Sequence, residues 1–317
     1  MKVHRELAGS LPEFNKAVVT IGTFDGVHLG HKQIIAQLKE EAARIGGETV
    51  IITFHPHPRK IVSSVPGDIK LLNTLNEKIV LLEAAGIDHL VIVPFDHAFA
   101  NQTARQYVQD FLHKYFNPHT VIIGYDHRFG KGRDGDYHLM EAYGKSLGFE
   151  VKEISEEILN EVVISSTRIR HALIDTHIET ANQFLGYPYF FDGIVIEGNK
   201  LGRTIGYPTA NLHIASGEKL IPGNGVYAVS VGSRESGVGS TSLHPYKGMM
   251  NIGLRPTVDG KKRVIEVNIF DFDKDIYGQI LHVQVHHYLR GEIKFNGLEE
   301  LKKQLAKDKL DSLAELH

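Results

Sequence analysis

The hydrophobic pattern divides the chain into two textures. Through roughly the first 185 residues, short β-branched runs alternate with longer stretches whose apolar positions recur every three or four residues. That alternation is the pattern of a parallel sheet covered by helices. Strands are predicted at AVVTIG (17–22), TVIITF (49–54), HLVIVPF (89–95), TVIIG (120–124) and near 149–154. Helices are predicted at KQIIAQLKEEAARI (32–45), NEKIVLLEAAG (76–86, closed by Gly86), ARQYVQDFLHKY (104–115) and near 138–147. A further one, SSTRIRHALI (165–174), opens on Ser and Thr where caps belong. The loop YDHRFGKGRDGDY (125–137) is too polar for a core.

Past residue 185 the texture changes. YFFDGIVIEG, GVYAVSVG, KGMMNIG, RVIEVNIFDF and QILHVQVHHYL are strand-like runs separated by Gly, Pro, Asn and Asp turns, with no helix pattern between them. They predict an antiparallel barrel or sandwich. LEELKKQLAKDKLDSLAEL (298–316) predicts a final amphipathic helix that packs its Leu face on the barrel. GSRESGVGSTS (232–242) reads as a flexible hairpin loop. The expected fold is an α/β, Rossmann-like domain with a parallel sheet (1–184), followed by an antiparallel β-barrel domain with a C-terminal helix (185–317).

Composition narrows the function classes. At 317 residues, 42% hydrophobic and 23% charged, the chain can bury two ordinary cores. No apolar run approaches the ~20 residues of a membrane span, and the start, MKVHRELAGSLPEFNK, lacks a signal-peptide core. With no cysteine there is no disulfide framework, thiol nucleophile or Cys-based metal site. Together these favour the cytoplasm. A formal charge of −3 gives no general attraction to nucleic acid or anionic membrane, so small molecules are the expected partners; oligomeric state is not legible. The 19 His are scattered and make no metal signature.

GTFDGVHLGH (22–31) sits between a predicted strand and helix, where open α/β sheets place phosphate ligands. Gly22, Gly26 and Gly30 let the backbone turn sharply and approach a ligand. His28 and His31 can then point at the same anion as the free helix amides. The helix terminus contributes only about 0.3–1 kcal/mol. Alignment of reactants can remove about 7–11 kcal/mol of barrier, so positioning is expected to dominate. Alone, HxGH is equally a turn with two capping His or a metal-binding His pair. TFHPHP (53–58) and ISSTRIR (164–170) add weight to a nucleotide site.

With those three segments the chain resembles the nucleotidyltransferase superfamily, and within it the FMN adenylyltransferase module of bacterial FAD synthetases. The resemblance implies that His28 and His31 bind and stabilise the ATP triphosphate during attack at the α-phosphorus. It adds Gly22, Phe24 and Asp25 to the ATP site, with Ser165, Ser166, Thr167 and Arg168 holding phosphates from the other side. His55, Pro56, Asp126, His127 and Arg128 are the implied flavin contacts. The attacking FMN phosphate is already an anion, so no protein nucleophile is needed. One departure stands out: family members carry an aromatic where this chain has His127, which either alters flavin affinity or preference, or packs as an aromatic substitute.

GNKLGRTIGYPTANL (198–212) spaces Gly198, Gly202 and Gly206 by four, with Lys200 and Arg203 between them, and can curl around phosphates. No GK[ST] ends it and no helix is expected to follow, so it is not a Walker A loop; alone it is compatible with any barrel hairpin. PTAN (208–211) is followed in order by GVYAV (225–229), MNIGLRPT (250–257), IEVNIFDFDKDIYG (265–278) and RGEIKFNGLEELKKQLAKD (290–308). This half resembles riboflavin kinases. The resemblance implies that Thr209 and Asn211 hold Mg²⁺ and ATP oxygens, and that Gly198, Lys200, Gly202 and Arg203 bind ATP. Glu266 is then the general base, and Glu266, Arg290, Glu292 and Phe295 line the flavin side. Strand alternation puts Val264, Glu266 and Asn268 on one face; by pattern alone Glu266 points as readily to solvent. RPTVDGKKRV (255–264) looks shorter than in many relatives. Riboflavin, FMN and FAD are the expected substrates and products. A chain with one live activity, or a flavin-binding sensor, are the competing expectations.

Overall fold

A computed structural model describes residues 1–7, 11–62, 69–154, 164–198, 201–233, 245–257 and 260–316. The chain forms two compact units, Met1–Ser165 and Ser166–His317.

The first unit is built on six parallel strands: β1 (Lys2–His4), β2 (Val18–Ile21), β3 (Thr49–His55), β4 (His89–Pro94), β5 (Thr120–Gly124) and β6 (Glu150–Ile154). Their order is β1-β4-β3-β2-β5-β6. All four residues of β2 and the first five of β3 are buried, as in a sheet covered on both faces. The period of two divides them between two cores. Val19, Ile21, Val50, Ile52 and Val121 pack with Phe111 and Phe116 on one face. Val18, Ile51 and Ile122 pack with Leu38 and Leu82 on the other. The strand order reverses at β2, because β3 and β5 flank it on opposite sides. A crevice at the carboxyl ends of the strands follows, and GTFDGVHLGH leaves β2 there.

Helix Leu29–Ile45 begins before the predicted 32, so the GH of the motif lies in its first turn; Gly46 at φ 64° ends it. Helix Leu75–Ala84 opens on a capping box between Thr74 and Glu77. The helix predicted at 104–115 is interrupted by a π-helical stretch, Tyr107–His113, which turns Tyr107, Val108, Phe111 and Leu112 into the core together. Several short elements escaped the sequence pattern, among them helices Pro58–Val62 and His97–Ala100 and the strand Ala210–His213. Strand β1 has three residues, too few for a period to register, and helix Ile178–Leu185 falls where the texture changes.

In the second unit, helices Ser166–Ile174 and Ile178–Leu185 precede a closed antiparallel barrel. Its strands are β7 (Tyr189–Ile196), β8 (Ala210–His213), β9 (Gly225–Ser233), β10 (Tyr246–Thr257), β11 (Gly260–Ile269) and β12 (Ile280–Arg290). They close in the order β10-β11-β8-β7-β12-β9. A short helix, Leu201–Thr204, stands inside the glycine loop, where no helix was expected. Among the described residues, no helix is long and apolar enough to cross a membrane.

The final helix, Leu298–Glu315, packs on β9, β10 and β12, but only partly by the expected Leu face: Leu301 and Leu305 line the barrel cavity while other leucines turn outward. Leu310 is 68% exposed, whereas the buried positions are Asp308 and Ser312. The reason is a charged hub. The Asp308 carboxylate accepts Nε and Nη2 of Arg290 at 2.9 and 2.6 Å, and Nε2 of Gln304 at 2.8 Å. Two parallel bonds fit the fork of a guanidinium, so one ion pair sets the orientation of the helix. Asp308→Ala should lower the stability of the second unit by about 2–4 kcal/mol in urea unfolding, below the full cost of a broken buried pair because Arg290 keeps some water. Leu310→Ala should stay within about 0.5 kcal/mol.

Candidate functional site

The turn after β2 is wound by three positive φ angles in four residues: Phe24 at 47°, Gly26 at 90° and Val27 at 35°. Only glycine adopts this region freely, and a β-branched residue there is an outlier. Such strain costs on the order of 1–3 kcal/mol per residue and persists where packing over-determines it. Here Phe24 and Val27 are both buried. Asp25, also buried, turns its carboxylate to the backbone amides of Leu72 (3.0 and 3.2 Å) and Asn73 (3.2 Å). In the opposite sense, the buried Lys78 donates to the Thr23 carbonyl at 2.6 Å and to Thr53 Oγ1 at 3.3 Å. The turn and the start of helix Leu75–Ala84 are thus joined by a carboxylate reaching one way and an ammonium reaching the other.

On this frame the rings of His28 and His31 stack 3.7 Å apart, 18° from parallel, and the Phe24 ring lies 4.9 Å from His31. A side chain at Gly30 would stand 3.3 Å from the His28 ring, so the glycine leaves room for the stack. His31 Nδ1 is buried with no hydrogen-bond partner among the described residues. Burial holds the His31 pKa well below the usual imidazole value, with His28 and Lys78 adding to the effect. The ring is therefore neutral at neutral pH, with one donor and one acceptor nitrogen.

The other expected residues of this site fall into two groups. His55 ends β3 and Gly124 ends β5, the neighbours of β2, so His55, Pro56, Asp126, His127 and Arg128 gather at the same carboxyl edge. His55, Asp126 and Arg128 are exposed. His127 lies over Phe129 (6.1 Å, 29°), which stacks in turn on Tyr107 at 5.1 Å. Burial pushes the His127 pKa down to about 4 against the pull of Asp126, so the ring is neutral and packs as an aromatic does. The ISSTRIR segment begins beside the turn: the Ile164 carbonyl would lie 3.9 Å from a side chain at Gly30. Ser165 closes the first unit, while Ser166, Thr167 and Arg168 open the first helix of the second. The Arg168 guanidinium sits 5.7 Å from the Phe184 ring centre.

In the barrel, the glycine loop folds onto PTAN. A side chain at Gly198 would strike that of Asn211, and one at Gly202 would strike the Tyr207 carbonyl. Asn268 Nδ2 donates to the Pro208 carbonyl at 2.7 Å, tying the start of PTAN to β11. The strand registers then align the polar residues: Asn211 lies opposite Glu266 on one side, and Asn251 lies opposite it on the other. A cavity of about 230 Å³ is lined by Thr209, Asn251, Glu266, Asn268, Arg290, Glu292 and Phe295, with Met249, Met250, Leu301 and Leu305 supplying apolar wall. Thr209, Glu266, Arg290, Glu292 and Phe295 are therefore brought together. Asn211 is the register neighbour of Glu266, Arg203 is exposed, and Lys200 lies outside the described residues.

Three charged residues were not singled out from sequence. Arg255 Nη2 donates to Glu266 at 2.5 Å. Alternation along β10 puts Arg255 on the same face as Asn251, a signal available only once the β10–β11 register is known. Asp308 and Lys78 sit on helices whose pattern reads as ordinary amphipathic surface.

A family model described as FAD synthetase matches residues 11–168, and one described as riboflavin kinase matches 185–316. The chain is 36% identical over 308 residues to the bifunctional riboflavin kinase/FMN adenylyltransferase of Haemophilus influenzae, covering 97% of each. It is 38% identical over 293 residues to that of Escherichia coli, covering 92% of this chain and 90% of the relative. For the Bacillus subtilis relative the identity is 36% over 303 residues, with 94% and 92% covered. A crystal structure described as a macrolide-efflux protein from Streptococcus pneumoniae superposes with a TM-score of 0.86 at 29% identity, covering 98% of both chains.

The neutral state of His127 has a consequence for acid stability. Its folded pKa lies below the unfolded value, so its contribution is complete above about pH 6.5 and fades as pH falls towards 4. His127→Phe should therefore spare the first unit about 1–2 kcal/mol of the stability lost between pH 7 and pH 5. The measurement is the drop in thermal midpoint over that interval, which should be smaller in the variant.

Proposed function

The chain belongs to the bifunctional riboflavin kinase/FMN adenylyltransferase family, and on that premise we propose how its residues divide the two reactions. It phosphorylates riboflavin to FMN with ATP, and it transfers AMP from ATP to FMN, giving FAD and pyrophosphate. We assign adenylyl transfer to residues 1–184 and phosphorylation to 185–317, and assign the enzyme to the cytoplasm, where ATP is at hand.

In adenylyl transfer, an oxygen of the FMN phosphate attacks the α-phosphorus of ATP and pyrophosphate leaves. The nucleophile carries no proton to be removed, so the residues of the site orient and stabilise. His28 and the neutral His31 offer ring N–H donors beside the free amides of helix Leu29–Ile45, with Gly22 and Phe24 shaping the turn. Asp25 acts indirectly, since its oxygens are turned to the amides of Leu72 and Asn73. Ser165, at the end of the same unit, is the further candidate for phosphate oxygens. His55, Pro56, Asp126, His127 and Arg128 face the flavin.

In phosphorylation, the ribityl 5′-hydroxyl of riboflavin attacks the γ-phosphorus, Glu266 accepts the hydroxyl proton and ADP leaves. The bond from Arg255 engages one carboxylate oxygen of Glu266 and leaves the other for the substrate. Thr209 and Asn211 are neutral oxygen donors, and a site completed by phosphate oxygens and water suits Mg²⁺, which keeps few protein ligands. When bound, the cation would offset charge on the phosphates. Gly198, Lys200, Gly202 and Arg203 wrap the ATP, while Phe295 and the Arg290–Asp308 pair border the isoalloxazine. The observation that carries this assignment is the single cavity shared by Thr209, Glu266, Arg290, Glu292 and Phe295, with Asn211 in register with the base.

Chromatography of products tests the division. His28→Ala should cut FAD formation from supplied FMN by about 100-fold or more while FMN formation from riboflavin continues. Equal loss of both steps would sink the two-site assignment. Glu266→Gln should slow FMN formation by about 10²–10⁴ and leave conversion of supplied FMN to FAD intact; a normal rate of FMN formation would remove Glu266 as the base.

A further inference from the structure

Lys78 has no role in either reaction as described above, yet its buried ammonium reaches the turn that leads into HxGH. Its side chain reaches from the first turn of helix Leu75–Ala84 to the Thr23 carbonyl, inside the GTFDG motif, and to Thr53 Oγ1 near the end of β3. Thr53 donates to the same carbonyl at 3.2 Å, so two donors converge on one oxygen of the turn. Among the described residues, no carboxylate stands within ion-pair distance of the ammonium: Asp25 is turned to the amides of Leu72 and Asn73, and Glu77 to the amide of Thr74 at 2.8 Å. From helix Leu29–Ile45, His31 faces it as a neutral ring, stacked on His28. A buried ammonium without a direct counter-ion is costly. Placed under an anion-binding turn, it is stabilised when the anion arrives.

We propose that Lys78 is a positioning residue for adenylyl transfer, holding the GTFDG turn from beneath and lending its buried positive charge to the triphosphate bound by His28 and His31. The inference rests on the assignment of that site to ATP. Lys78 does not touch the reacting atoms; it acts through the Thr23 carbonyl and through the field it sets up in a poorly solvated pocket.

The charge has a pH signature that a merely structural lysine would lack. Burial pushes the Lys78 pKa down to about 8, partly opposed by Asp25. The ammonium is present below that value and is lost as pH rises through it. For FMN to FAD conversion, kcat/KM for ATP should therefore fall on the basic side near pH 8 in the parent enzyme, since this quantity reports the free enzyme. Lys78→Arg, whose guanidinium stays charged, should keep most of the activity and abolish that basic limb. Lys78→Met should lower kcat/KM for ATP by about 10–100-fold at pH 7, show no basic limb, and phosphorylate riboflavin at the parent rate.

A basic limb that persists in Lys78→Arg overturns the proposal, as does a Lys78→Met enzyme with parental kcat/KM. If Lys78→Met does not fold, shown by loss of riboflavin phosphorylation as well, the parent and Lys78→Arg profiles decide alone. His28→Ala serves as the control on the premise. Intact FAD formation in that variant would sink the ATP site itself, whereas an inactive His28→Ala beside an indifferent Lys78→Met would sink only the role of Lys78.

Discussion

Backbone amides and short side chains can reach a phosphate only where the main chain folds back on itself, and both candidate sites are built around that requirement. In the α/β unit the chain folds back through Phe24, Gly26 and Val27, at φ angles that two of the three residues adopt only because their side chains are locked in the core. In the barrel, glycine does the same without strain: Gly198 and Gly202 admit the close approach of Asn211 and Tyr207. One site stores conformational energy in a rigid turn; the other removes side chains so that a loop can close. The rest of each unit serves to hold that feature against an otherwise ordinary sheet or barrel.

The fold was legible wherever a period ran long enough. Strand β5 falls on its predicted residues, and five of the six barrel strands lie on predicted runs, because alternation and turn residues agree there; β8 (Ala210–His213) begins inside the glycine-rich segment read as a loop. The pattern failed where length or tertiary packing decided. Three residues cannot display a period, so β1 was invisible. The last helix carries a Leu stripe, but a bidentate Arg290–Asp308 pair is directional where apolar contact is not, and it rotates the stripe partly into solvent.

Within the sites, the candidate residues were named from short local runs. Their supports were not. Arg255 meets Glu266 only through the register of β10 on β11, and Lys78 meets Thr23 only through the packing of a helix beneath a turn. A lysine on a helix reads as solvated surface until tertiary structure buries it. In both candidate sites a cation not singled out from the sequence bonds to a motif residue: Lys78 to Thr23 and Arg255 to Glu266.

The helix at 298–315 forms one wall of the barrel cavity through Leu301, Leu305 and Asp308. A ribosome making this chain passes the HxGH turn and its Lys78 clasp more than 200 residues before it reaches that wall. The HxGH turn can therefore settle while translation is still under way, but the barrel pocket stays open on one side until its closing helix emerges. The half matched by the riboflavin kinase family model thus depends on a wall translated after the rest of its pocket.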